Sequence, residues 1–582
     1  MKYIKRGTQK TIRDVALRNL GVADTEEINN WFRKSYAGKY RVDGIDEAID
    51  LLCGTQWDRV QVVGDYDVDG CTATAEMKLA LSVLGFPVHT RVPHRFSEGF
   101  GLNTKIIEEI PGGKTLLITV DNGIAANEAV ALAKQRGMTV IITDHHLPAV
   151  TGGRPDYPDA DLIIDPNAVP NSADFNGYCG AGLAYKFLTR LLDRKIEELT
   201  DEREINKLKA IRIMLLPLCA MGTVADVMEL KEENFVFVRN GLRLLENRKA
   251  TAGMMSLHDR LWVTHPTADD IAFKSGPCVN ANGRLYDDGA DRSIELLSCL
   301  DYREAEVLVA EAIQNNQDRK AQVEAGLKKA EEIIEKEHMA EDLPMVLYLP
   351  KINEGIVGIL AGKLSEAYGT VAMVFTDSDE EGILKGSGRS TESINLKAML
   401  DAISSCFTRY GGHAEAAGMS IEETRLSEMR KAAMAYAKKQ KLEHEPVKDL
   451  YFDLSIDAKE VPELLPELVK YGPFGQGNEP IVFEIKNFSL LPGRDGQLRT
   501  KLGANGVKLT NGKTEAVCFD GKLSEEILKS KSLNYTLYGT LSYSYFRGEA
   551  KPQIGILGVQ EAEKPAFDSA LMQTLLETAA RK

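Results

Sequence analysis

The sequence predicts an α/β protein: a mostly parallel sheet domain, a long connecting helix, a second α/β domain and a small C-terminal β domain. Three observations predict it. Short Val-, Ile- and Leu-rich runs alternate with helix-like stretches across 55–230, the pattern of strands covered on both faces by crossover helices. A charge-dense segment with helical periodicity follows at Asp318 to Glu337. From Asp449 onward, short strand-like runs are punctuated by Gly-Asn-Glu-Pro, Pro-Gly, Asp-Gly and two Asn-Gly turns, the mark of an all-β domain up to Val559.

In order, a polar, helix-like N-terminal segment (1–54) precedes Val60-Gln61-Val62-Val63, a buried strand that runs into Gly64-Asp65. Helical character then continues to Leu84 and is closed by Gly85. The strand pattern returns at Val88 to Val92, at Leu116 to Val120 before Asp121, at Val140 to Ile142 before Asp144, and at Leu162 to Ile164 before Asp165. Several of these strands run into an acid at or just past their ends, and ligands of open α/β sheets bind at that edge. The expected boundaries are 1–54, the first α/β domain 55–230, a helical region with the connecting helix 231–340, a second α/β domain 341–442, the β domain 443–562 and a tail 563–582. The connecting helix carries opposite charges three and four residues apart and reads as a solvated linker.

Bulk properties exclude several classes. At 582 residues the chain exceeds one hydrophobic core, so several domains are expected. No uninterrupted apolar run approaches a bilayer span, which leads to the expectation of a cytoplasmic protein without a membrane partner. The eight cysteines are scattered with no Cys-x-x-Cys pair, so buried free thiols are expected. The net charge of −15 is the wrong sign for a protein that coats nucleic acid, and any such binding must use a confined basic groove.

The chemistry concentrates in four segments. Asp65-Tyr66-Asp67-Val68-Asp69-Gly70 places carboxylates at every second residue, which aims alternate side chains the same way. The opening resembles a calcium-binding EF-hand loop, but a strand precedes it and the twelfth position, Glu76, falls inside the following helix. Asp121-Asn122-Gly123 offers a further carboxylate, Asp144-His145-His146 adds imidazole, and Asp226 follows a helical apolar run. Carboxylates alone suit Mg2+ or Ca2+, and an added imidazole moves the preference toward Mn2+ or another transition ion. Any one of these aspartates could equally cap a helix. Four such segments together are harder to explain that way.

In this order, Gly-Asp-Tyr-Asp-Val-Asp-Gly, Val-Asp-Asn-Gly-Ile, Thr-Asp-His-His and Gly-Thr-Val-Ala-Asp-Val resemble the phosphoesterase motifs of the DHH superfamily, in their RecJ form. The resemblance extends through His94 to Leu102, Asp165-Pro166-Asn167, Cys179 to Tyr185 and Gly276 to Arg284. In the second α/β domain, Gly355 to Gly358, Gly386 to Ser390 and Gly411 to Gly418 resemble the DHH-associated domain, and Pro473 to Pro480 resembles the opening of an oligonucleotide-binding (OB-like) β-barrel.

The resemblance implies that Asp67, Asp69, Asp121, His145 and Asp226 hold two ions, Mn2+ or Mg2+, with Asp65 as an additional ligand and Asp121 as the bridge. His146 would meet a phosphate oxygen or protonate the leaving group, or serve as a hydrogen-bonded structural histidine. Arg284, Ser387, Arg389 and His413 match phosphate-binding positions, with Asn280, Gly412 and Arg95 as further substrate contacts. Gly283, Gly386, Gly388, Gly411 and Gly412 would let backbone amides approach the substrate, and turns alone would also explain them. The implied activity is a single-stranded-DNA-specific exonuclease working 5′ to 3′ in recombination and repair. Its implied partners are single-stranded DNA, a helicase and a single-strand-binding protein, with the enzyme itself monomeric.

In the β domain, Arg494, Arg499, Lys501, Lys508 and Lys513, followed by Tyr535, Tyr538, Tyr543, Tyr545, Phe546 and Arg547, suit phosphate contact and base stacking, although the aromatics could equally be core. Three departures stand out: a short region before the first motif, Tyr368-Gly369-Thr370-Val371 without the usual Arg-Pro, and Cys278 where a basic or aliphatic residue is more familiar. Two other functions fit the same motifs. One is a DHH phosphodiesterase for short oligonucleotides or cyclic dinucleotides; the other is a non-catalytic scaffold, against which the complete ligand set argues.

Overall fold

The computed structural model describes residues 2–562 except 152, 169–172, 392, 446–447, 494, 504 and 547–548. Arg494, Arg547, the side chain of Phe546 and the tail 563–582 therefore lie outside the described residues.

The apolar runs of the first domain form the parallel sheet that the sequence predicts. Strands β1 (Arg59–Val63), β2 (Val88–Arg91), β3 (Thr115–Val120), β4 (Thr139–Thr143) and β5 (Leu162–Ile164) form a wholly parallel sheet in the order β2-β1-β3-β4-β5. Val62, Leu117, Ile118, Ile141 and Ile142 are fully buried, as expected of strands covered on both faces. Helix α1 (Val68–Val83) follows β1 and packs against α2 (Gly180–Glu198) and α3 (Glu202–Ala225). By length and composition α3 could cross a membrane, but most of its apolar stretch is buried inside the protein. Glu76 is enclosed within α1, and burial, reinforced by the Asp69 charge, holds its carboxyl well above the usual range. It is no calcium-loop ligand, as its place in the sequence indicated.

The helical region brings α4 (Ala252–Arg260), α5 (Gly276–Leu285) and α6 (Tyr302–Glu337). Helix α6 is 36 residues long and starts well before the charge-rich stretch, with Asp301 capping it through the Arg303 and Glu304 amides. It is not the solvated linker that its charges suggest: Ala305, Val309, Ala312, Ala330 and Ile334 form a buried stripe. The second sheet contains β6 (Met345–Tyr348), β7 (Ala372–Asp377), β8 (Ile383–Arg389), β9 (Arg409–Gly412) and β10 (Ala416–Glu422) in the order β9-β10-β8-β7-β6, with only β6 and β7 parallel.

Alternation along β8 corrects one expectation. A Cβ at Gly386 would lie 2.5 Å from the Phe375 ring and one at Gly388 would lie 2.9 Å from Leu396. These glycines serve the core face, so it is Lys385, Ser387 and Arg389 that alternate onto the other face.

By its contacts the chain divides into two units, one with 40–228 and 240–447, the other with 1–39, 229–239 and the chain from 448 onward. In the second unit, Tyr3–Lys5 pairs in parallel with Leu450–Phe452, and Arg18 donates to the buried Asp453 at 2.6 Å. Of the segment expected at 1–54, residues 1–39 thus group with the C-terminal fold, and 40–54 belong to the other unit. Its main sheet has seven strands, from Leu454–Asp457 at one edge to Thr500–Leu502 at the other. Among the described residues the two edge strands are not paired, so the expected small β domain is present as an open sheet and its closure into a barrel is not seen.

Tyr535 and Tyr538 are both buried, on opposite faces of their strand: Tyr535 joins the core, and Tyr538 is covered by the Tyr3 ring stacked on it at 3.9 Å and by Phe452. Tyr543 is partly buried against that core, and Tyr545 is exposed. Arg499 donates to the Tyr535 hydroxyl at 2.7 Å, and Lys508 pairs with Glu515 at 3.7 Å, which leaves less free basic surface than the sequence suggested. Seven cysteines are buried, Cys53 is half-buried, and all are free thiols.

One buried group makes stability pH-dependent. His258 on α4 is 2% exposed, neither ring nitrogen has a hydrogen-bond partner, and burial pushes its pKa down to about 4. A depressed histidine binds fewer protons folded than unfolded, so its contribution is intact above the unfolded value and is lost as pH falls toward 4. Replacing His258 with Leu is expected to flatten urea-derived stability over that interval by roughly 3 kcal/mol. An unchanged pH slope would refute this.

Candidate metal centre

The carboxyl ends of β1, β3 and β4 converge with the start of α1 and the end of α3. Asp65 follows β1 and is 2% exposed, and its Oδ1 has no hydrogen-bond partner. Asp67 is the N-cap of α1 and accepts the Gly70 amide at 3.0 Å. Asp69, in the first turn, accepts the Gly180 and Ala181 amides at 2.6 and 2.9 Å, so the positive N-terminal end of α2 fixes its rotamer.

Asp121 follows β3 with φ 64°, a strained backbone of the kind concentrated at functional sites. A Cβ at position 180 would fall 2.3 Å from the Asp121 Cβ, so glycine is required there. Asp226 ends α3, where the helix dipole disfavours a carboxylate unless a cation is near.

Three side-chain sets have donor atoms mutually within 4.8 Å: Asp65, Asp67 and Asp121; Asp69, His145 and Asp226; and Asp121, His145 and His146. His145 Nε2 lies 3.0 Å from Asp121 Oδ1, 3.7 Å from Asp226 Oδ2 and 3.8 Å from Asp69 Oδ2. Asp121 thus touches both of the first two sets.

Burial, and then repulsion from neighbouring aspartates, raises the carboxyls of Asp65, Asp67 and Asp121 and pushes Asp226 up to about 8. Burial lowers His145 against the pull of the carboxylates, so its imidazole is neutral and able to donate a lone pair. Crowded carboxylates, an orphaned Asp65 oxygen and a neutral imidazole fit divalent cations, with a donor mixture suited to Mn2+ or Mg2+.

Asp144 is a site residue that sequence reasoning passed over, although it opens the Asp-His-His run. Its Oδ1 accepts from the His145 amide (2.7 Å), the His146 amide (3.1 Å) and His146 Nδ1 (2.7 Å), while Oδ2 accepts the Ile124 amide (2.9 Å). Burial raises its pKa, but these bonds and the His146 charge outweigh that and lower it. Burial works against the His146 charge, yet the Asp144 bond and charge prevail and lift His146 to about 9. Burial also pushes Asp165 up to about 7, and Asn167 beside it donates to the His145 carbonyl.

A second cluster is cationic. Arg95 lies 4.6 Å from the Tyr66 ring centroid, and Phe100 packs edge-on against both Tyr66 and His146. Arg284 on α5 donates to the Gly355 carbonyl at 3.2 Å, and Arg389 on β8 donates to Ser387 Oγ at 2.8 Å. Burial, then repulsion from Arg95, Arg319 and Arg389, pulls Arg284 down to about 10, the state of guanidiniums gathered for an anion. Arg319, on α6, was missed because its surroundings read as one more solvated charge pattern; it donates to Asn316 Oδ1 instead.

Asn280 on α5 has a buried Oδ1 without a partner. Gly412 and His413 are exposed at the end of the edge strand β9, and no contact among the described residues ties them to the arginines.

Family models match in two places: the DHH family, N-terminal domain, over residues 59–223, and the DHHA1 domain over 344–439. The single-stranded-DNA-specific exonuclease RecJ of Haemophilus influenzae is 35% identical over 426 residues, covering 70% of this chain and 71% of the relative. A crystal structure of exonuclease RecJ bound to manganese is 31% identical, with TM-score 0.58 over 69% of this chain and 95% of that one. RecJ of Thermus thermophilus in complex with Mn2+ shares the fold, with TM-score 0.71 and 24% identity over 97% of this chain and 80% of that chain.

Proposed function

The chain belongs to the RecJ family of single-stranded-DNA-specific exonucleases, and from that premise we propose that it shortens single-stranded DNA by hydrolysing phosphodiester bonds with Mn2+ or Mg2+. The observation that carries the proposal is the convergence of five aspartates and a neutral histidine at one sheet edge, opposite a group of guanidiniums. Asp67, Asp69, Asp121, His145 and Asp226 are the ligand set for two ions, with Asp65 as an added ligand; the position of Asp121, grouped with Asp65 and Asp67 and 3.0 Å from His145 of the other set, supports a bridging role. Divalent cations, when bound, make the attacking water more acidic and neutralise charge at the scissile phosphate.

The chain's own residues do the remaining work. The Gly180 and Ala181 amides keep Asp69 aimed at the centre, and burial keeps His145 unprotonated. Asp144 keeps His146 protonated on both nitrogens: Nδ1 donates to that carboxylate, and Nε2 is left to donate to a phosphate oxygen or to the departing oxygen. Arg95, Arg284, Ser387 and Arg389 grip the phosphate of the terminal nucleotide, with Asn280, Gly412 and His413 as outer contacts; the gathering of uncompensated guanidiniums supports the first four. Digestion runs 5′ to 3′ in this proposal, as the family resemblance implies. The C-terminal sheet acts as an OB-like arm for the strand through Lys501, Lys513 and Tyr545, the exposed members of the basic and aromatic set.

The test is degradation of end-labelled single strands and of the matching duplex with Mn2+, with Mg2+ and with chelator. Loss of single strands only, dependent on the metal and on a free 5′ end, is the expected result. Cleavage of dinucleotides with intact longer strands would favour an oligonucleotide phosphodiesterase and overturn the proposal.

A further inference from the structure

The loop 93–101, between β2 and the next helix, carries Arg95 and Phe100 toward the metal centre. Its base is held by its own domain: Glu98 accepts from Arg91 at 2.7 Å and from the His94 amide at 2.8 Å, and the Leu102 amide donates to Asn122 at 3.1 Å. Gly99 and Gly101 have φ 86° and 69°, so the tip turns on backbone that only glycine adopts without strain.

That tip is gripped by two side chains from outside the parallel-sheet domain. Asp287 accepts the Phe96 amide at 2.7 Å, the Ser97 amide at 3.3 Å and the Ser97 hydroxyl at 2.6 Å, with His94 Nδ1 at 3.9 Å. Lys385 donates to the Phe96 carbonyl at 3.0 Å while Glu354 holds it at 3.0 Å. Asp287 sits just beyond the end of α5, which carries Asn280 and Arg284, and Lys385 shares one face of β8 with Ser387 and Arg389. Each element that presents a phosphate-binding side chain therefore also extends one residue to the loop that presents Arg95.

We propose that Asp287 and Lys385 are positioning residues for the nuclease reaction: they clamp the loop so that Arg95 is held in register with Arg284, Ser387 and Arg389 around one phosphate. The proposal rests on the nuclease reading above. The Tyr66 ring lies 4.6 Å from the Arg95 guanidinium, but Arg284 and Arg389 repel that guanidinium, and the hold on the loop tip by Asp287 and Lys385 works against the repulsion.

Asp287 is partly exposed, so Asp287→Ala should fold, and Lys385→Met leaves a chain of similar length. Each is expected to raise KM for a labelled single strand about tenfold with kcat little changed, as loss of a charge-assisted hydrogen bond implies. Lys385→Arg is expected to restore most of the loss. Arg95→Ala combined with Asp287→Ala should be no worse than Arg95→Ala alone, because the clamp acts through that arginine.

Hydrogen exchange provides a readout independent of activity. Without DNA or metal, the Phe96 and Ser97 amides should exchange about tenfold faster in Asp287→Ala. Losses that multiply in the double variant, or exchange unchanged at both amides, would overturn the clamp. A parent chain inactive on single strands would instead overturn the nuclease reading, and the exchange result would still decide whether the loop is held.

Discussion

Asp121→Ala is expected to abolish the nuclease, lowering Mn2+-dependent degradation of a single strand by about a thousandfold or more. Loss of a residue that merely supports a ligand costs about 10–100-fold, and Asp121 belongs to the set with Asp65 and Asp67 and lies 3.0 Å from His145 of the other set. The same change should not harm the fold. In chelator, Asp121 is a buried carboxyl raised by burial and by Asp69, Asp67 and Asp65, on backbone with φ 64°. Alanine relieves the burial and the repulsion but keeps the strained φ, so the variant's thermal midpoint without metal should stay near the parent's, while the rise on adding Mn2+ should shrink. These two outcomes separate a lost ligand from a lost fold. Full Mn2+-dependent activity in Asp121→Ala would refute the assignment.

The contrast between Asp121 and the clamp residues shows what the sequence could carry. Asp65 and Asp121 were legible because each closes an apolar run, and the end of a parallel strand is where a ligand site forms; Asp144 closes one too but was passed over beside the two histidines it precedes. That β1 to β5 form a parallel sheet followed from the same runs; their order did not. Arg284 and Arg389 have no such local mark, and only the family resemblance singled them out. Asp287 and Lys385 had neither signal, since their partners are backbone atoms of a loop 191 and 289 residues away in the chain.

The same limit applies to packing. Tyr3–Lys5 adds a strand beside Leu450–Phe452, a parallel pairing across almost the whole chain that no local pattern encodes. Alternation places Tyr535 and Leu537 on the core face, but it could not show that Tyr538 on the other face is buried too, because the ring that covers it, Tyr3, comes from the far end of the chain. Helix α6 misled for a different reason. Its dense charges describe its solvent face, while the small residues Ala305, Ala312 and Ala330 on the opposite face bury without a strong apolar signature.

Asp144→Asn is expected to lower the maximal rate by about 10–100-fold and to shift the alkaline limb of the pH profile to lower pH. Asp144 is the acceptor that orients both histidines, and asparagine keeps the size but removes the charge. With Asp144 in place, burial of His146 is overcome and its pKa stands at about 9, so His146 remains a donor throughout the neutral range and ceases to be one as pH rises through that value. Without the carboxylate, burial acts unopposed by its largest partner, and protonated His146 should be lost nearer to, or below, the ordinary histidine value. Bound cations lower His146 in parent and variant alike, which moves both limbs but preserves the sign of their difference. The measurement is kcat against pH at saturating single strand and constant Mg2+. A variant whose alkaline limb coincides with the parent's would show that His146 does not act as the proton donor, leaving it the structural role that its bond to Asp144 also allows.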